Sequence, residues 1–209
     1  MSLSMILVDI AGRKEVIQVL QRENFINYRS KHYVPQATVI VVAGGFSAQG
    51  GEKIIIDKVN HYFGKLKPGE KHKKVQVLEK QDEPAELVKF KESDQTHIVL
   101  GFRAFKFSDP RRYALDVLAD ILGGGMSSRL FQRIREEMGA AYYIGASADL
   151  YTDHGLVLMA AGINHEKIDA VLAATIEEFN RFKSERISEA ELTRAKNHLT
   201  GHLYLSLET

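Results

Sequence analysis

The sequence predicts an α+β fold in which mostly antiparallel strands pack against paired helices. From about residue 75 onward, strand-like runs follow one another along the chain and helical patterns come in pairs. This order favours antiparallel strands over the alternating strand and helix order of a parallel sheet. Of the 209 residues, 44% are hydrophobic and 26% are charged, which is typical of a globular protein. The length allows one large domain or pieces of two.

The first third of the chain predicts a helix, a strand and a second helix. Apolar residues recur at three- and four-residue spacing over 13–33, which indicates one helix that ends before Pro35. The β-branched run at 38–43 is closed by two glycines and predicts a buried strand. Residues 52–63 have the period of an amphipathic helix.

Further strands are predicted at 74–78, 86–90 and 96–102, the last as a buried strand. The runs at 142–150 and 155–161 are separated by a short polar segment. They predict a β-hairpin.

Four helices are predicted among and after these strands. A capping side chain followed by proline starts a helix over 109–122, which three glycines end. A second helix is expected over 127–138, and an amphipathic one over 168–182. Ser188 and Glu191 have the spacing of a capping box, which opens a last helix that reaches about residue 206.

Composition excludes several classes of function. The chain has no Cys, so disulfides, thiolate metal sites and Cys nucleophiles are excluded. Its 28 Lys and Arg balance 27 Asp and Glu, so no electrostatic footprint for nucleic acid or an anionic membrane is present. No apolar run approaches the ~20 residues of a membrane helix, and we see no signal peptide. We therefore expect a cytoplasmic protein.

The basic segment at 65–74, KLKPGEKHKK, contains Pro-Gly and is the best linker candidate in the chain. A solvated linker is the expected role of its charge, and an anion-binding patch is the alternative.

The segment at 122–143, LGGGMSSRLFQRIREEMGAAYY, resembles the C-terminal half of the pitrilysin, insulysin and mitochondrial processing peptidase family. That family has a Gly-rich turn, then Ser-Ser-Arg-Leu-Phe, Arg-Glu, Gly and Tyr in this order. Here the matching residues are Gly123, Gly124 and Gly125 for the turn, 127–131, Arg135 with Glu136, Gly139, and Tyr142.

Two more segments extend the resemblance over nearly the whole chain. Residues 27–45 are similar to the stretch that closes the family's catalytic half, and residues 188–208 to a helix of its second half. The resemblance implies a processing-peptidase type of half-domain. It places the end of an incomplete N-terminal, catalytic-type half at 1–66, a linker at 67–74, and a C-terminal, non-catalytic half at 75–209 that is truncated at its end.

The family's N-terminal half binds zinc through His-x-x-Glu-His and a distant Glu, and the Glu within the motif acts as general base. Its C-terminal half contributes an Arg and a Tyr, seven residues apart, that contact the substrate across a chamber. The resemblance assigns these roles to Arg135 and Tyr142. On residue chemistry alone, the alternative is that Arg135 pairs with an acid of its own helix and that Tyr142 is half-buried in a strand.

No His-x-x-Glu-His occurs among the eight His of this chain. His198 and His202 have the motif's spacing, but Gly201 stands where the general base would be. We therefore expect no catalytic residue, metal ligand or cofactor in this chain; the alternatives at this pair are adventitious metal binding and, less favoured, a degenerate zinc site. The parent protein is expected to carry the zinc.

The expected function is that of a zinc metalloendopeptidase fragment, inactive by itself, that forms the substrate-binding wall of a peptide chamber. The expected partners are a peptide or unfolded segment and an N-terminal catalytic half. Since residues 13–63 supply only part of a sheet, an unpaired edge also predicts self-association as a homodimer, or pairing as a heterodimer. The alternative functions are a non-catalytic partner subunit of the same family and an unrelated α+β binding domain.

Overall fold

The structure is a computed structural model that describes residues 11–46, 50–75, 77 and 80–207. The chain divides into two units, residues 1–78 and residues 79–209. None of the described helices is long and apolar enough to cross a membrane.

The described part of the first unit contains three α-helices: α1 at Lys14–Val19, α2 at Arg22–His32 and α3 at Gly51–Phe63. The single helix predicted over 13–33 is therefore wrong, because Leu20 is extended and separates α1 from α2. The backbone N–H of Gln21 donates to the Asn24 side chain at 2.8 Å, which satisfies a donor at the start of the new helix. This local bond gives no signal in the apolar periodicity.

The predicted buried strand at 38–43 is also wrong. The structure has no strand there, and the side chains of Val39 and Val41 are 87% and 82% exposed. A strand is stabilised by hydrogen bonds to a neighbouring strand. The described residues of the first unit include no strand that could pair with this run.

The second unit is built on a three-stranded antiparallel sheet, which confirms the predicted fold class. Its strands are β1 at Thr96–Ala104, β2 at Ala141–Leu150 and β3 at Gly155–Ile163. The strand order is β1-β3-β2, so β3 is central and pairs with both neighbours along its whole length. Strands β2 and β3 pair antiparallel and form the predicted hairpin.

The strand predicted at 86–90 is wrong, because these residues form no ladder and Phe90 is 91% exposed. The strand predicted at 74–78 falls partly on residues 76 and 78, which lie outside the described residues.

Helices α4 at Arg112–Gly123, α5 at Ile168–Ser184 and α6 at Glu189–Leu207 complete the second unit, together with a π-helix at Phe131–Glu137. Helix α4 packs against β2 and α6 against α4, while the π-helix contacts β2 and α5. The core is formed by apolar side chains of these elements, among them Leu122, Leu130, Ile134, Met159, Ile163 and Val171.

The helix predicted over 127–138 is present from residue 129, and its residues Phe131–Glu137 form a π-helix. The backbone N–H of Met138 donates to the carbonyl of Arg133, five residues earlier, at 3.1 Å. Short π segments are rare and are frequently found at functional sites. The sequence carries no sign of it, because its residues are ordinary α-helix formers.

Arg129 connects the turn after α4 to the last two helices. Its Nε and Nη2 donate to the two carboxylate oxygens of Glu191 at 2.8 and 3.0 Å. Its guanidinium also lies 4.6 Å from the ring centre of Phe182 at the end of α5. Glu191 accepts from the backbone N–H of Ser188 as well, which confirms the predicted capping box.

Gly123 ends α4 where that helix meets β2. A Cβ at Gly123 would lie 2.2 Å from the backbone nitrogen of Ala146. Glycine is required here by close packing of a helix end on a strand.

We expect Gly123→Ala to destabilise the protein by at least about 1–3 kcal/mol, because the added methyl meets backbone that cannot rotate away. Gly201→Ala is the matched control, since a Cβ at this position in α6 would have no atom within 4 Å. It should stabilise by up to about 1 kcal/mol. Urea unfolding of both variants measures the difference, and equal midpoints would contradict the packing argument.

The hydrogen bonds from Arg129 are the main reason why the pKa of Glu191 is lowered to about 2. A lowered folded-state pKa adds stability above the unfolded-state value of 4.5, and this stability is lost as the pH falls toward about 2. Glu191→Gln should therefore cost about 1–3 kcal/mol at pH 7. It should also flatten the acid limb of a plot of unfolding free energy against pH. Glu136→Gln, at an exposed position, should leave that limb unchanged.

Candidate functional site

Arg135 lies in the π-helix and its side chain is exposed. Its guanidinium stacks 4.8 Å from the ring centre of Phe131. Among the described residues it forms no ion pair, although Glu136 and Glu137 follow it directly. The alternative that Arg135 serves to neutralise an acid of its own helix is therefore not what the structure shows.

Tyr142 is the extra residue of a β-bulge at the start of β2. Ala141 pairs with Ile163 and Tyr143 with Gly162, so no residue of β3 is opposite Tyr142. A bulge interrupts the alternation of side chains along a strand and redirects one of them. As a result both Tyr142 and Tyr143 are exposed, by 59% and 45%.

The two adjacent tyrosines have different contacts. The hydroxyl of Tyr143 is 3.0 Å from Nδ1 of His97 on β1. Its ring lies over Gly162, where a Cβ would be 2.5 Å from the ring. The Tyr142 hydroxyl has no hydrogen bond to any other described residue. Only Tyr142 keeps its hydroxyl available for a ligand.

The turn between Arg135 and Tyr142 is fixed by a residue that sequence reasoning missed. Lys167 Nζ donates to the carbonyl oxygens of Met138 and Gly139 at 2.9 and 3.2 Å. Gly139 has φ +53°, a conformation that glycine adopts readily. Lys167 comes 25 or more residues later in the chain, so no local pattern could have identified it.

The other two glycines of the Gly-rich turn are also close to neighbouring groups. A Cβ at Gly124 would meet the Asp120 carboxylate, and one at Gly125 would lie 3.5 Å from the His198 ring. Ser128 donates to the carbonyl of Gly125 at 2.6 Å. The turn lines a pocket of about 250 Å³ together with α6.

Arg135 offers a guanidinium and Tyr142 a phenolic hydroxyl, and neither has a polar partner among the described residues, although the guanidinium stacks on Phe131. Such groups bind carbonyl oxygens or anionic oxygens. Within the described part of the chain, no three His, Asp or Glu side chains are grouped so that they could hold a metal ion.

Comparison with known proteins decides the family, since residues 20–199 match the family described as the peptidase M16 inactive domain. This chain belongs to the M16 peptidase family. The resemblance found in the sequence is thereby confirmed.

Curated relatives of this M16 chain include the uncharacterized zinc protease YmxG of Bacillus subtilis, which is 33% identical over 201 residues. The match covers 96% of this chain and 47% of YmxG. An uncharacterized zinc protease of Rickettsia felis is 31% identical, with 95% of this chain and 47% of that protein covered. The chain thus spans about half the length of the curated relatives it matches.

Solved structures show the same fold. A protease from Helicobacter pylori matches with TM-score 0.74 and 20% identity, over 95% of this chain and 48% of that one. A peptidase M16 inactive domain from Pseudomonas fluorescens matches with TM-score 0.72 and 23% identity, over 92% of this chain and 46% of that one. A chain of Complex III2 from Candida albicans matches with TM-score 0.71 and 21% identity, over 96% and 48%.

Since neither candidate side chain has a polar partner among the described residues, Tyr142→Phe should change the free energy of unfolding by less than about 0.5 kcal/mol. Arg135→Gln should cost no more than about 0.5–1 kcal/mol, for the lost stacking on Phe131. Tyr143→Phe, the adjacent control, should cost about 0.5–1.5 kcal/mol because it breaks the bond to His97. Chemical denaturation compares the three variants. Equal losses for Tyr142→Phe and Tyr143→Phe would show that Tyr142 has a structural role.

Proposed function

We propose that this chain forms the substrate-binding wall of a zinc-dependent metalloendopeptidase, with Arg135 and Tyr142 contacting the bound peptide. The observation that carries the proposal is that both groups are exposed and without polar partners among the described residues, whereas the turn between them is tied down by Lys167. A fixed turn that presents unused donors is suited to binding a ligand.

The chemistry of peptide hydrolysis is proposed to come from another part of the parent protein. The chain has no His-x-x-Glu-His motif, and the relatives that carry the name zinc protease are about twice as long as the part matched here. Zinc and the general base are therefore assigned to an N-terminal catalytic half. In this proposal the present chain needs no cofactor of its own.

The proposal divides the chain into 1–66 as the end of that catalytic half, 67–74 as linker and 75–209 as the second half, whereas the structure separates its two units after residue 78. Val34 is the one buried hydrophobic side chain among the described residues of the first unit. Many large apolar side chains remain exposed there, including Val16, Val19, Phe25, Val39, Val41 and Tyr62. So much uncovered apolar surface marks a binding face for another body. That body is the remaining catalytic half or, in its absence, a second copy of this chain.

Arg135 and Tyr142 would act on the peptide backbone. The guanidinium carries N–H donors and can bind a substrate carbonyl oxygen. The Tyr142 hydroxyl can donate to the same peptide or to the oxyanion that forms on attack by water. Both contacts become stronger as negative charge develops on the oxygen.

The test measures cleavage of an unfolded peptide by the longer protein that contains this chain. Arg135→Gln and Tyr142→Phe should each lower kcat/KM by roughly 10²-fold, the size of effect seen on loss of one oxyanion donor. Arg133→Gln and Tyr143→Phe are matched controls, because Arg133 already pairs with Glu177 and Tyr143 with His97. Controls that lose as much activity as the site variants would reject the assignment.

A non-catalytic partner subunit is the second candidate. The likeness to a chain of Complex III2 shows that the same fold occurs within that assembly. Zinc analysis of the purified parent protein carrying His202→Gln, which removes metal binding at the pair formed by His198 and His202, separates the two. About one zinc per chain supports the peptidase, whereas a zinc-free parent with activity only in the presence of another subunit supports the partner.

A further inference from the structure

His198 and His202 lie one turn apart on α6, and their rings are in contact. Residues four apart share a face of an α-helix. The ring centres are 4.6 Å apart and the ring planes meet at 84°. His202 is exposed and His198 is 38% exposed, so solvent ions can reach both.

A carboxylate on a different helix orients His198. Its Nδ1 is 2.6 Å from Oδ1 of Asp120, which lies on α4 and is 9% exposed. With Nδ1 held by the carboxylate, Nε2 is the nitrogen left free. The same order of carboxylate, imidazole and ion recurs in metal sites, where the carboxylate fixes the ring and makes it a better ligand.

The spacing of the two rings is compatible with a shared ion. Given metal–nitrogen distances of about 2.0–2.1 Å, the ring centres of two imidazoles on one ion are between roughly 4.5 Å apart, at an N–metal–N angle of about 90°, and roughly 5.2 Å apart, at the tetrahedral angle. The observed separation of 4.6 Å falls in that interval.

We propose that His198 and His202 bind a divalent transition-metal ion, with Asp120 as the residue that positions His198. Imidazole ligands select ions such as Zn²⁺, Ni²⁺ and Cu²⁺ over Mg²⁺ or Ca²⁺. The described residues provide no third protein ligand beside the two imidazoles. Water would therefore occupy the remaining coordination positions of the ion. The site is separate from the zinc proposed for the catalytic half. It has no general base, because Gly201 stands at the position that Glu occupies in His-x-x-Glu-His. Its ion stabilises the contact between α4 and α6.

The chain contains a second histidine pair that serves as a control. The rings of His32 and His72 are 4.8 Å apart in the first unit. Neither ring has a carboxylate partner within the described residues. If proximity of two imidazoles were sufficient, both histidine pairs would bind a metal ion with equal affinity. The proposal requires the pair of His198 and His202, which Asp120 orients, to bind the ion more tightly.

The experiment titrates the purified chain with Ni²⁺ or Zn²⁺ alone, by calorimetry and by thermal unfolding. One equivalent should bind to the unaltered chain and raise the unfolding temperature, because the ion binds the folded state. His202→Gln, at an exposed position that leaves the fold intact, should weaken binding at least tenfold. Asp120→Asn should weaken it by about 10–100-fold. His72→Gln should bind like the unaltered chain.

Three results would overturn the proposal. They are no saturable binding, unchanged affinity in His202→Gln, and loss of binding in His72→Gln. None of these outcomes depends on peptidase activity, so the metal site can fail while the proposed function stands.

Discussion

The second unit depends on the paired hydrogen bonds between Arg129 and Glu191. This one guanidinium joins the turn after α4 to the first residues of α6, and it lies on Phe182 at the end of α5. A bidentate pair of this kind fixes direction as well as distance. Its side chains are only 13% and 24% exposed, so water screens the interaction less than at an open surface. Loss of either partner would leave a charge uncompensated where three elements meet.

The motif that identifies the family thus contains two kinds of residue. Ser128, Arg129 and Leu130 are used by the fold, for a turn hydrogen bond, an ion pair and the core respectively. Arg135 and Tyr142 follow on the same segment, but the described residues provide neither with a polar partner. The first set anchors the segment that leads into the π-helix, and the second set lies on the π-helix and on the bulge that follow it. A binding surface whose side chains are held by such a support needs little reordering when a ligand arrives.

Sequence patterns predicted the elements that are stabilised locally or by the core of the second unit. The hairpin, α5 and the capping box at Ser188 follow directly from alternation, periodicity and a cap. The patterns failed at 38–43 and 86–90, where β-branched and apolar residues are present but no strand pairs with them. Strand propensity describes residues that suit a pleated, half-buried surface, but a strand also needs a neighbouring strand to pair with, and propensity does not supply one.

The sequence by itself determined the α+β class, the family and the identity of Arg135 and Tyr142 as candidates, because these depend on residue types at fixed spacing. Only the tertiary structure decided that Tyr142 rather than Tyr143 has the free hydroxyl, since a bulge is a relation between two strands. It likewise decided that Lys167 holds the turn and that Asp120 orients His198, across 78 residues of chain. Contacts between residues so far apart are set by packing of whole elements, and no local pattern encodes them.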